Sequence, residues 1–492
     1  MVELYYNIDN KTGLVAYFLI VFFYLGACNN AQKGKHIPVK VENNIPGAPQ
    51  TFGIPIPKGE LYSPDHVRVI NENGEIVPSQ ITKVSTWVPA DKSIKWIWVF
   101  FFTQEGNNYT IEYGKHIQNN FNYKQSLYVK NNQRSNGEVT VDTGPLRFTI
   151  NKGGSGFFDK VELDIEGDGF DRNDLIAKGS KERSSFLDIL DDAGIDRSKA
   201  VIKQTYKELG SGPLHSIIRI EGEYQYSNKD NNTSPFITRI HSYAGKSYVK
   251  ILHTLVYTGD PDKHEKIDGQ YELIATENGK IVNQKQLVGD EGWMQPNDRI
   301  YAAGLSLKYN LSEDRKYQTA LYQGSWWNAE QEKIIADDLP KNKEFSLYQS
   351  GPKPSRVPPV PNSSPNKRLE DSSFSAILAS DSRNIFHEER APGWFDVSDD
   401  KWGITLGFRH FFEEYPKEIN IQQRDTLLNA YIWSPKSKSM GFIRKDGNYD
   451  SQMIANFAQG TSKTTELIYN FHTINKSVDS LKQTINYFLK PP

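Results

Sequence analysis

Polar and aromatic side chains that could bind and transform an anionic ligand share one face of a predicted β-hairpin. Two strand-like segments, residues 236–243 and 248–257, are separated by a four-residue connection, which is typical of antiparallel neighbours. Because side chains alternate along a strand, this register places His241 opposite Lys250 on one face. That face carries the following residues: Arg239, His241, Tyr243, Tyr248 and Lys250.

These residue types together favour an acidic polysaccharide as the ligand. An arginine can hold a carboxylate through two hydrogen bonds. A tyrosine can stack on a sugar ring or transfer a proton. The alternative is an ordinary solvated face, which antiparallel sheets often present. A register change of one residue would exchange the cross-strand partners and remove the argument.

The opposite face of the same hairpin is predicted to belong to the core. Its members are Phe236, Ile240, Val249, Ile251, Leu255 and Tyr257. His253 lies among them, so we expect it to be a buried, hydrogen-bonded histidine and not a catalyst.

A second candidate polar cluster follows from residues 402–412. Alternation predicts a buried face made of Trp402, Ile404, Leu406, Phe408, His410 and Phe412. The other face carries Thr405, Gly407, Arg409 and Phe411. Arg409 and the nearby segment Tyr415-Pro416-Lys417 form the candidate cluster.

Two weaker signals have competing interpretations. Trp326-Trp327 is either a sugar platform or a loop anchor. Residues 164–169 (DIEGDG) resemble the start of a calcium loop, but position twelve would be Leu175, which cannot supply the bidentate carboxylate. A solvated turn is therefore the favoured interpretation of that segment.

Composition excludes several classes of protein. The 58 Lys and Arg residues nearly balance the 60 Asp and Glu residues, giving a formal net charge of −2, so nucleic acid is not an expected partner. No P-loop, GxSxG, HExxH or dinucleotide fingerprint is present in the sequence. A single cysteine excludes an intrachain disulfide and a cysteine-rich metal site. Aromatic residues make up 12% of the chain, which favours strands and an all-β fold.

The N-terminus predicts export and lipid anchoring. Residues 13–26 are an apolar run of signal-peptide length, and Leu25-Gly26-Ala27 leads directly to Cys28. This pattern resembles a bacterial lipobox, in which the cysteine is lipidated after cleavage of a signal peptide spanning residues 1–28. The alternative is an ordinary signal peptide with an incidental cysteine. With residues 29–36 as a polar tether, the protein is expected at the bacterial cell envelope, anchored to a membrane.

The rest of the chain predicts two β domains. Residues 37–115 read as a small barrel, residues 116–135 as a linker, and residues 136–475 as a large antiparallel β-sandwich. Residues 352–366 contain six prolines and predict an extended surface loop. Residues 477–489 have the apolar spacing of a helix, which has little to pack on in this scheme.

Several segments together resemble one family, the exo-acting rhamnogalacturonan lyases of polysaccharide lyase family 26. They are residues 51–59 (TFGIPIPKG), 93–96 (SIKW), 143–148 (TGPLRF), 243–245 (YAG), 253–254 (HT), 392–399 (PGWFDVSD), 401–403 (KWG), 415–417 (YPK) and 463–466 (KTTE). The resemblance implies a RIFT-type barrel followed by a central β-sandwich. It also implies a C-terminal α/α toroid, so residues 476–492 would be the helical stub of that missing domain. Where this chain has Thr465, the resemblance implies a histidine.

The implied reaction is β-elimination at galacturonate in a rhamnogalacturonan backbone, without a redox cofactor. From the predicted faces, Arg239 or Arg409 would bind the uronate carboxylate. His241 or Tyr243 would be the base, with charge support from Lys250. A separately encoded toroid is a possible protein partner. The alternatives are a non-catalytic glycan-binding lipoprotein and the truncated product of an interrupted gene.

Overall fold

The computed structural model describes residues 34–491 with internal gaps. The residues not described are 1–33, 89, 120–122, 124–126, 133–137, 152, 181–182, 192–193, 228–232, 259–263, 266–272, 278–279, 285–294, 297–298, 325–330, 352–373, 382, 438, 441–459, 475 and 492. The apolar run 13–26, Cys28, Trp326-Trp327 and the proline-rich segment 352–366 therefore lie outside the described residues. The chain divides into two compact units, Met1–Asn122 and Tyr123–Pro492.

The first unit is built from seven strands in two small sheets among its described residues. The strands are β1 (Lys35–Lys40), β2 (Pro49–Pro55), β3 (Val67–Asn71), β4 (Ile76–Val77), β5 (Ser79–Thr86), β6 (Ile94–Phe102) and β7 (Asn108–Tyr113). They pair in the orders β1-β7-β3-β4 and β2-β6-β5, and a short 3-10 turn at Pro64–His66 precedes β3. Their inward side chains form one core that includes the fully buried Val67, Ile97 and Ile111.

The second unit consists almost entirely of strands. Its first group is β8 (Tyr128–Asn132), β9 (Glu138–Asp142), β10 (Leu146–Ile150), β11 (Lys160–Leu163), β12 (Leu175–Gly179), β13 (Ser185–Asp191), β14 (Gly194–Asp196), β15 (Lys199–Lys207), β16 (His215–Gln225), β17 (Thr233–Tyr243), β18 (Tyr248–Tyr257), β19 (His264–Glu265), β20 (Leu273–Glu277), β21 (Lys280–Gln284) and β22 (Gln295–Pro296). Its second group is β23 (Arg299–Tyr309), β24 (Lys316–Gln323), β25 (Gln331–Asp338), β26 (Glu344–Ser350), β27 (Ser375–Ser380), β28 (Arg383–Glu388), β29 (Trp394–Ser398), β30 (Trp402–Phe408), β31 (Lys417–Gln422), β32 (Leu427–Trp433) and β33 (Thr461–Thr473). A 3-10 turn at Arg172–Asp174 precedes β12.

Two large antiparallel sheets face each other as a sandwich. One has nine strands in the order β15-β16-β17-β18-β33-β30-β29-β24-β25. The other has the order β28-β27-β26-β31-β32-β23-β12-β11-β10-β9-β8, with β13 beside β23 and β14 beside β13. Aromatic side chains fill the space between them: the ring of Tyr317 on β24 lies 4.6 Å from that of Phe345 on β26. The predicted all-β class, with a small barrel and a sandwich, is confirmed.

The hairpin register predicted from the sequence is confirmed. In β17 and β18, His241 lies opposite Lys250 and Arg239 opposite Leu252. Apolar side chains alternate with polar ones along both strands, so one face packs in the sandwich and the other points away from it. We call this second side of the nine-stranded sheet the outer face.

The C-terminal helix, α1 (Val478–Leu489), covers part of the outer face. Ser477 caps its first turn by accepting a hydrogen bond from the Ser480 N–H at 3.2 Å. Leu481, Ile485 and Phe488 are buried on its inner side, against β30 and β33. The expectation that this helix has little to pack on is therefore wrong. The small residue Gly407 on β30 leaves space for it: a Cβ there would lie 3.6 Å from Ile485.

The alternating pattern predicted for residues 402–412 is also wrong. The strand ends at Phe408, and all seven residues of β30 are buried because the sandwich core covers one side and α1 packs against the other. Beyond the strand the chain turns, so Phe411 is 1% exposed while the side chain of His410 is 49% exposed. These two residues lie on the opposite sides from those predicted.

Candidate functional site

The predicted cationic residues are brought together on the outer face, and each is paired with a carboxylate. Arg239 Nε donates to Glu208 Oε2 at 2.7 Å. Arg219, on the neighbouring strand β16 and directly opposite Arg239, donates from Nη1 to the other oxygen of Glu208 at 3.2 Å. Burial raises the pKa of Glu208, but the hydrogen bonds from the two guanidinium groups outweigh it and the pKa is lowered.

A second carboxylate is bridged by two cations further across the same face. Arg409 Nη1 donates to Glu466 Oε2 at 3.2 Å, and Lys250 Nζ lies 3.7 Å from Glu466 Oε1. The backbone N–H of Arg409 also donates to the Glu466 carbonyl at 3.1 Å, which fixes the turn after β30 against β33. We call Glu208, Arg239, Lys250, Arg409 and Glu466 the outer-face charge cluster. All five side chains are between 18% and 33% exposed, so the cluster is open to solvent but partly desolvated.

A third carboxylate, Glu414, is also paired with two cations. Glu414 pairs with Lys417 at 2.9 Å and with Lys463. The Lys417 side chain is only 1% exposed, and burial lowers its pKa despite the nearby Glu414 carboxylate. The candidate cluster predicted around Arg409 and Lys417 is thus two separate ion-pair groups, one centred on Glu466 and one on Glu414.

His241 lies beside the cluster but is engaged with another histidine. Its Nδ1 is 3.0 Å from Nε2 of His215, and the two rings stack 5.1 Å apart. Burial, assisted by the neighbouring positive charges, lowers the pKa of His241 well below its usual value and that of His215 to about 3. Both imidazoles are therefore neutral near pH 7. Nε2 of His241 is shielded from solvent and has no hydrogen-bond partner among the described residues.

Tyr243 does not lie on an open surface, contrary to the sequence-based prediction. It is 3% exposed, its ring stacks on His215 at 5.1 Å, and Phe488 of α1 covers it at 6.1 Å. Tyr248 is packed against the same phenylalanine at 5.4 Å. Burial raises the pKa of Tyr243, so its phenol stays protonated and is a poor base.

The core assignment of His253 is confirmed. It is fully buried, with Tyr224 Oη 3.0 Å from Nε2 and Thr238 Oγ1 2.8 Å from Nδ1. Thr465 lies directly opposite it on β33 and is 1% exposed, so its side chain also points into the sandwich. The position where the family resemblance implies a histidine is consequently a core position here, and it lies apart from the outer-face charge cluster.

Residues 164–169 form a turn in which the Asp164 carboxylate accepts hydrogen bonds from backbone N–H groups. Asp164 accepts hydrogen bonds from the N–H groups of Gly167 at 2.7 Å and Gly169 at 3.0 Å. Within the described part of the chain, no group of three or more His, Cys, Asp or Glu side chains has the arrangement of a metal site. In the same residues no helix is long and apolar enough to cross a bilayer.

Comparisons with known proteins agree with this domain organisation. Residues 39–112 match the PcRGLX-like N-terminal RIFT barrel domain, and residues 129–270 match the PcRGLX-like protein central β-sandwich domain. The chain therefore contains two segments that are similar to PcRGLX-like domains, in the order that the sequence resemblance implies. The central domain match includes Arg239, His241, Tyr243 and Lys250 and ends before Arg409 and Glu466.

A curated relative is the uncharacterized protein YetA of Bacillus subtilis (strain 168), which is 25% identical over 415 residues. The alignment covers 81% of this chain and 44% of the relative, so the chain spans less than half of that protein's length. Among solved structures, a glycosyl hydrolase family 38 protein from Enterococcus faecalis is 11% identical, with a TM-score of 0.47 over 93% of this chain and 46% of that chain. An α-galactosidase from Lactobacillus brevis gives a TM-score of 0.38 at 9% identity, covering 72% and 42%. At these TM-scores the structural similarities support no conclusion about this chain.

Sequence reasoning did not identify the carboxylates or the second histidine of the site. Glu208 follows β15 in a loop, and Glu466 was noted only as part of the KTTE segment. His215 begins β16 and lies opposite Tyr243 across the sheet. The same alternation would have found it once β16 was known to pair with β17. The pairing of β16 with β17 was the missing information.

Proposed function

We propose that this protein acts on rhamnogalacturonan-type pectic polysaccharide and holds galacturonate carboxylates at the outer-face charge cluster. The observation that supports this most is the pair of bridged carboxylates, each shared by two cations. The first of them, at Glu208 and Arg239, lies within the segment that matches the PcRGLX-like central β-sandwich domain. A uronate can exchange with Glu208 or Glu466 and accept hydrogen bonds from the same guanidinium groups. Its carboxylate would then be neutralised without burying an unpaired charge.

The proposed reaction is β-elimination at the bound galacturonate. A base removes the C5 proton, the electron pair forms the C4–C5 double bond, and the C4–O bond breaks with proton transfer to the leaving oxygen. Arg239 or Arg409 neutralises the carboxylate, which makes the C5 proton more acidic, and Lys250 adds positive charge beside it. His241 is the candidate base, because its imidazole is neutral near pH 7 and has a nitrogen that is free among the described residues, whereas the phenol of Tyr243 keeps its proton. The lowered pKa of His241 makes it a weak proton acceptor until its surroundings change.

A second candidate function, glycan binding without elimination, is favoured by one specific observation. The free nitrogen of His241 is shielded from solvent and Tyr243 lies beneath α1. A sugar can therefore reach the arginines in this conformation, but it cannot reach either proposed base unless the covering side chains move. An α/α toroid, as the family resemblance implies, is the proposed partner domain for an active form.

The experiment is to incubate the full chain with rhamnogalacturonan and follow the ultraviolet absorbance of the unsaturated uronate product. Elimination predicts an absorbance increase that His241→Ala abolishes while binding to a pectin column is kept. Retention on the column without absorbance supports the glycan-binding function. If the protein gives neither signal, with or without an added toroid domain, the proposal is wrong. Arg239→Ala should weaken retention on the pectin column. Arg383→Ala, at an exposed arginine on β28, is the matched control for that variant.

Location at the bacterial cell envelope is part of the same proposal. Cys28 would carry the lipid, and residues 29–36 would connect it to the barrel. Metabolic labelling with a fatty acid should mark the wild-type protein and not Cys28→Ser. Unlabelled wild-type protein would contradict the anchor while leaving the glycan site untouched.

A further inference from the structure

The barrel carries exposed tryptophans that the outer-face charge cluster does not use. Along β6, Ile97 and Val99 are fully buried in the barrel core, while the alternate residues Trp96 and Trp98 point to the other side of the sheet. Trp96 is 37% exposed and Trp98 is half-buried. Contiguous exposed apolar patches mark interaction sites, whereas single exposed apolar residues are normal, so the neighbouring outward positions of these two tryptophans are what matters.

The indole ring of Trp96 lies next to Gly53 of β2. A Cβ added to Gly53 of β2 would lie 3.0 Å from Nε1 of Trp96 and 3.1 Å from its Cζ2. A side chain at Gly53 would crowd the indole ring, whereas glycine leaves it room. Gly53 is itself exposed, so the ring lies at the surface beside it and does not cover it.

Small and hydroxyl-bearing residues flank both rings. Trp96 lies between Pro55 on β2 and Ser85 on β5, and Trp98 lies between Gly53 and Thr82. These neighbours are too short to cover the indole faces, and the Ser85 and Thr82 hydroxyls can donate and accept hydrogen bonds at their edges. We call Gly53, Thr82, Ser85, Trp96 and Trp98 the tryptophan platform.

We propose that the tryptophan platform binds a neutral pyranose residue of a polysaccharide by stacking. The C–H groups on one side of such a sugar carry partial positive charge and fit the negative face of an indole ring. Its hydroxyls lie around the edge of the ring, where Ser85 and Thr82 are placed. Two rings at successive outward positions of one strand suit one or two sugars, whereas a stable protein partner buries roughly 800 Å² on each side. Only the source of the sugar, a pectic polysaccharide, rests on the proposed function.

The test measures binding of neutral β-galactan oligosaccharides to the full chain by calorimetry and tryptophan fluorescence. Galactose presents a continuous C–H face and carries no carboxylate, so the outer-face charge cluster does not contribute. Trp96→Ala and Trp98→Ala should each weaken binding at least tenfold. Tyr128→Ala is the control, because this tyrosine is 63% exposed on β8, outside the platform.

A second variant tests the geometry and guards against misfolding. Gly53→Val keeps both tryptophans and a residue suited to a strand, but its side chain crowds the Trp96 ring and displaces it, so it should weaken binding about as much as Trp96→Ala. Circular dichroism verifies that each variant is folded. If wild-type protein does not bind the galactan, or if the tryptophan variants bind it as well as wild type, the platform is overturned. Neither result affects the proposed uronate site, which Arg239→Ala tests separately with an acidic oligosaccharide.

Discussion

Arg409 is joined to Glu466 twice, through its backbone N–H to the Glu466 carbonyl at 3.1 Å and through Nη1 to Oε2 at 3.2 Å. The same carboxylate lies 3.7 Å from Nζ of Lys250. In the proposed function, a uronate would bind between these cations in place of the Glu466 carboxylate. The internal carboxylate would then compete with the ligand.

Glu466→Gln is expected to strengthen binding of acidic pectic oligosaccharides several-fold. The amide keeps the shape of the side chain but removes the negative charge that holds Arg409 and Lys250. Calorimetry at low salt measures the change, and Glu313→Gln, at an 85% exposed glutamate paired with Lys341, is the charge-matched control. Weaker binding by Glu466→Gln would show instead that Glu466 orients the cations for the ligand.

Phe488→Ala is expected to lower the free energy of unfolding by about 3 kcal/mol, the lower end of the range for a buried phenylalanine. Its ring packs on Tyr243 at 6.1 Å and Tyr248 at 5.4 Å, so its loss leaves a cavity between α1 and the outer face. Urea denaturation measures the effect. Gln483→Ala, on the exposed side of α1, should stay within about 0.5 kcal/mol of wild type. Equal effects from the two variants would mean that α1 does not pack as described.

Acid should destabilise the fold through its buried neutral histidines. Burial lowers the pKa of His253 to about 3, so between about pH 6.5 and that value the unfolded chain binds a proton that the folded chain does not. Stability therefore falls as the pH falls through this window, by up to about 1.4 kcal/mol per pH unit for each such histidine. His253→Gln should reduce the slope of unfolding free energy against pH. His387→Gln, at an exposed histidine, should leave it unchanged. An unaltered slope in His253→Gln would contradict the shifted pKa.

His472 should give the opposite pH dependence. Burial disfavours its charged form, but the Asp396 carboxylate, 2.7 Å from Nε2, outweighs burial and raises the pKa of His472. The stability that the His472–Asp396 ion pair contributes is complete below the pKa of His472 in the unfolded chain, about 6.5. It is lost as the pH rises through the higher pKa of His472 in the folded protein.

Asp396→Asn should consequently cost more stability near pH 5.5 than near pH 8.5, by denaturation at roughly these two values. Thr405→Val removes only the hydroxyl that donates to Asp396 at 2.6 Å, so its cost should not depend on pH. A loss from Asp396→Asn that is the same at both pH values would rule out the charged pair.

Local patterns in the sequence were sufficient for the hairpin and the helix. Alternation along β17 and β18 predicted both their faces and their register, because each strand is long and has one buried side. The alternation rule failed for residues 402–412, because α1 covers the side of β30 that faces away from the sandwich core. Both sides of this strand therefore carry apolar or small residues. Tyr243 was misplaced for the same reason. The sequence around Tyr243 does not show which element covers it, because α1 lies far from Tyr243 along the chain.

The central claim is tested most directly by measuring how tightly a rhamnogalacturonan oligosaccharide binds to two proteins at several salt concentrations. These proteins are the wild type and the double variant that combines Arg239→Ala with Arg409→Ala. If the outer-face charge cluster holds the galacturonate carboxylates, the double variant should bind at least tenfold more weakly. Its affinity should also fall less steeply as salt is added, because two cationic contacts are gone. Equal affinity and equal salt dependence in the folded double variant would contradict the assignment of the cluster as the glycan site.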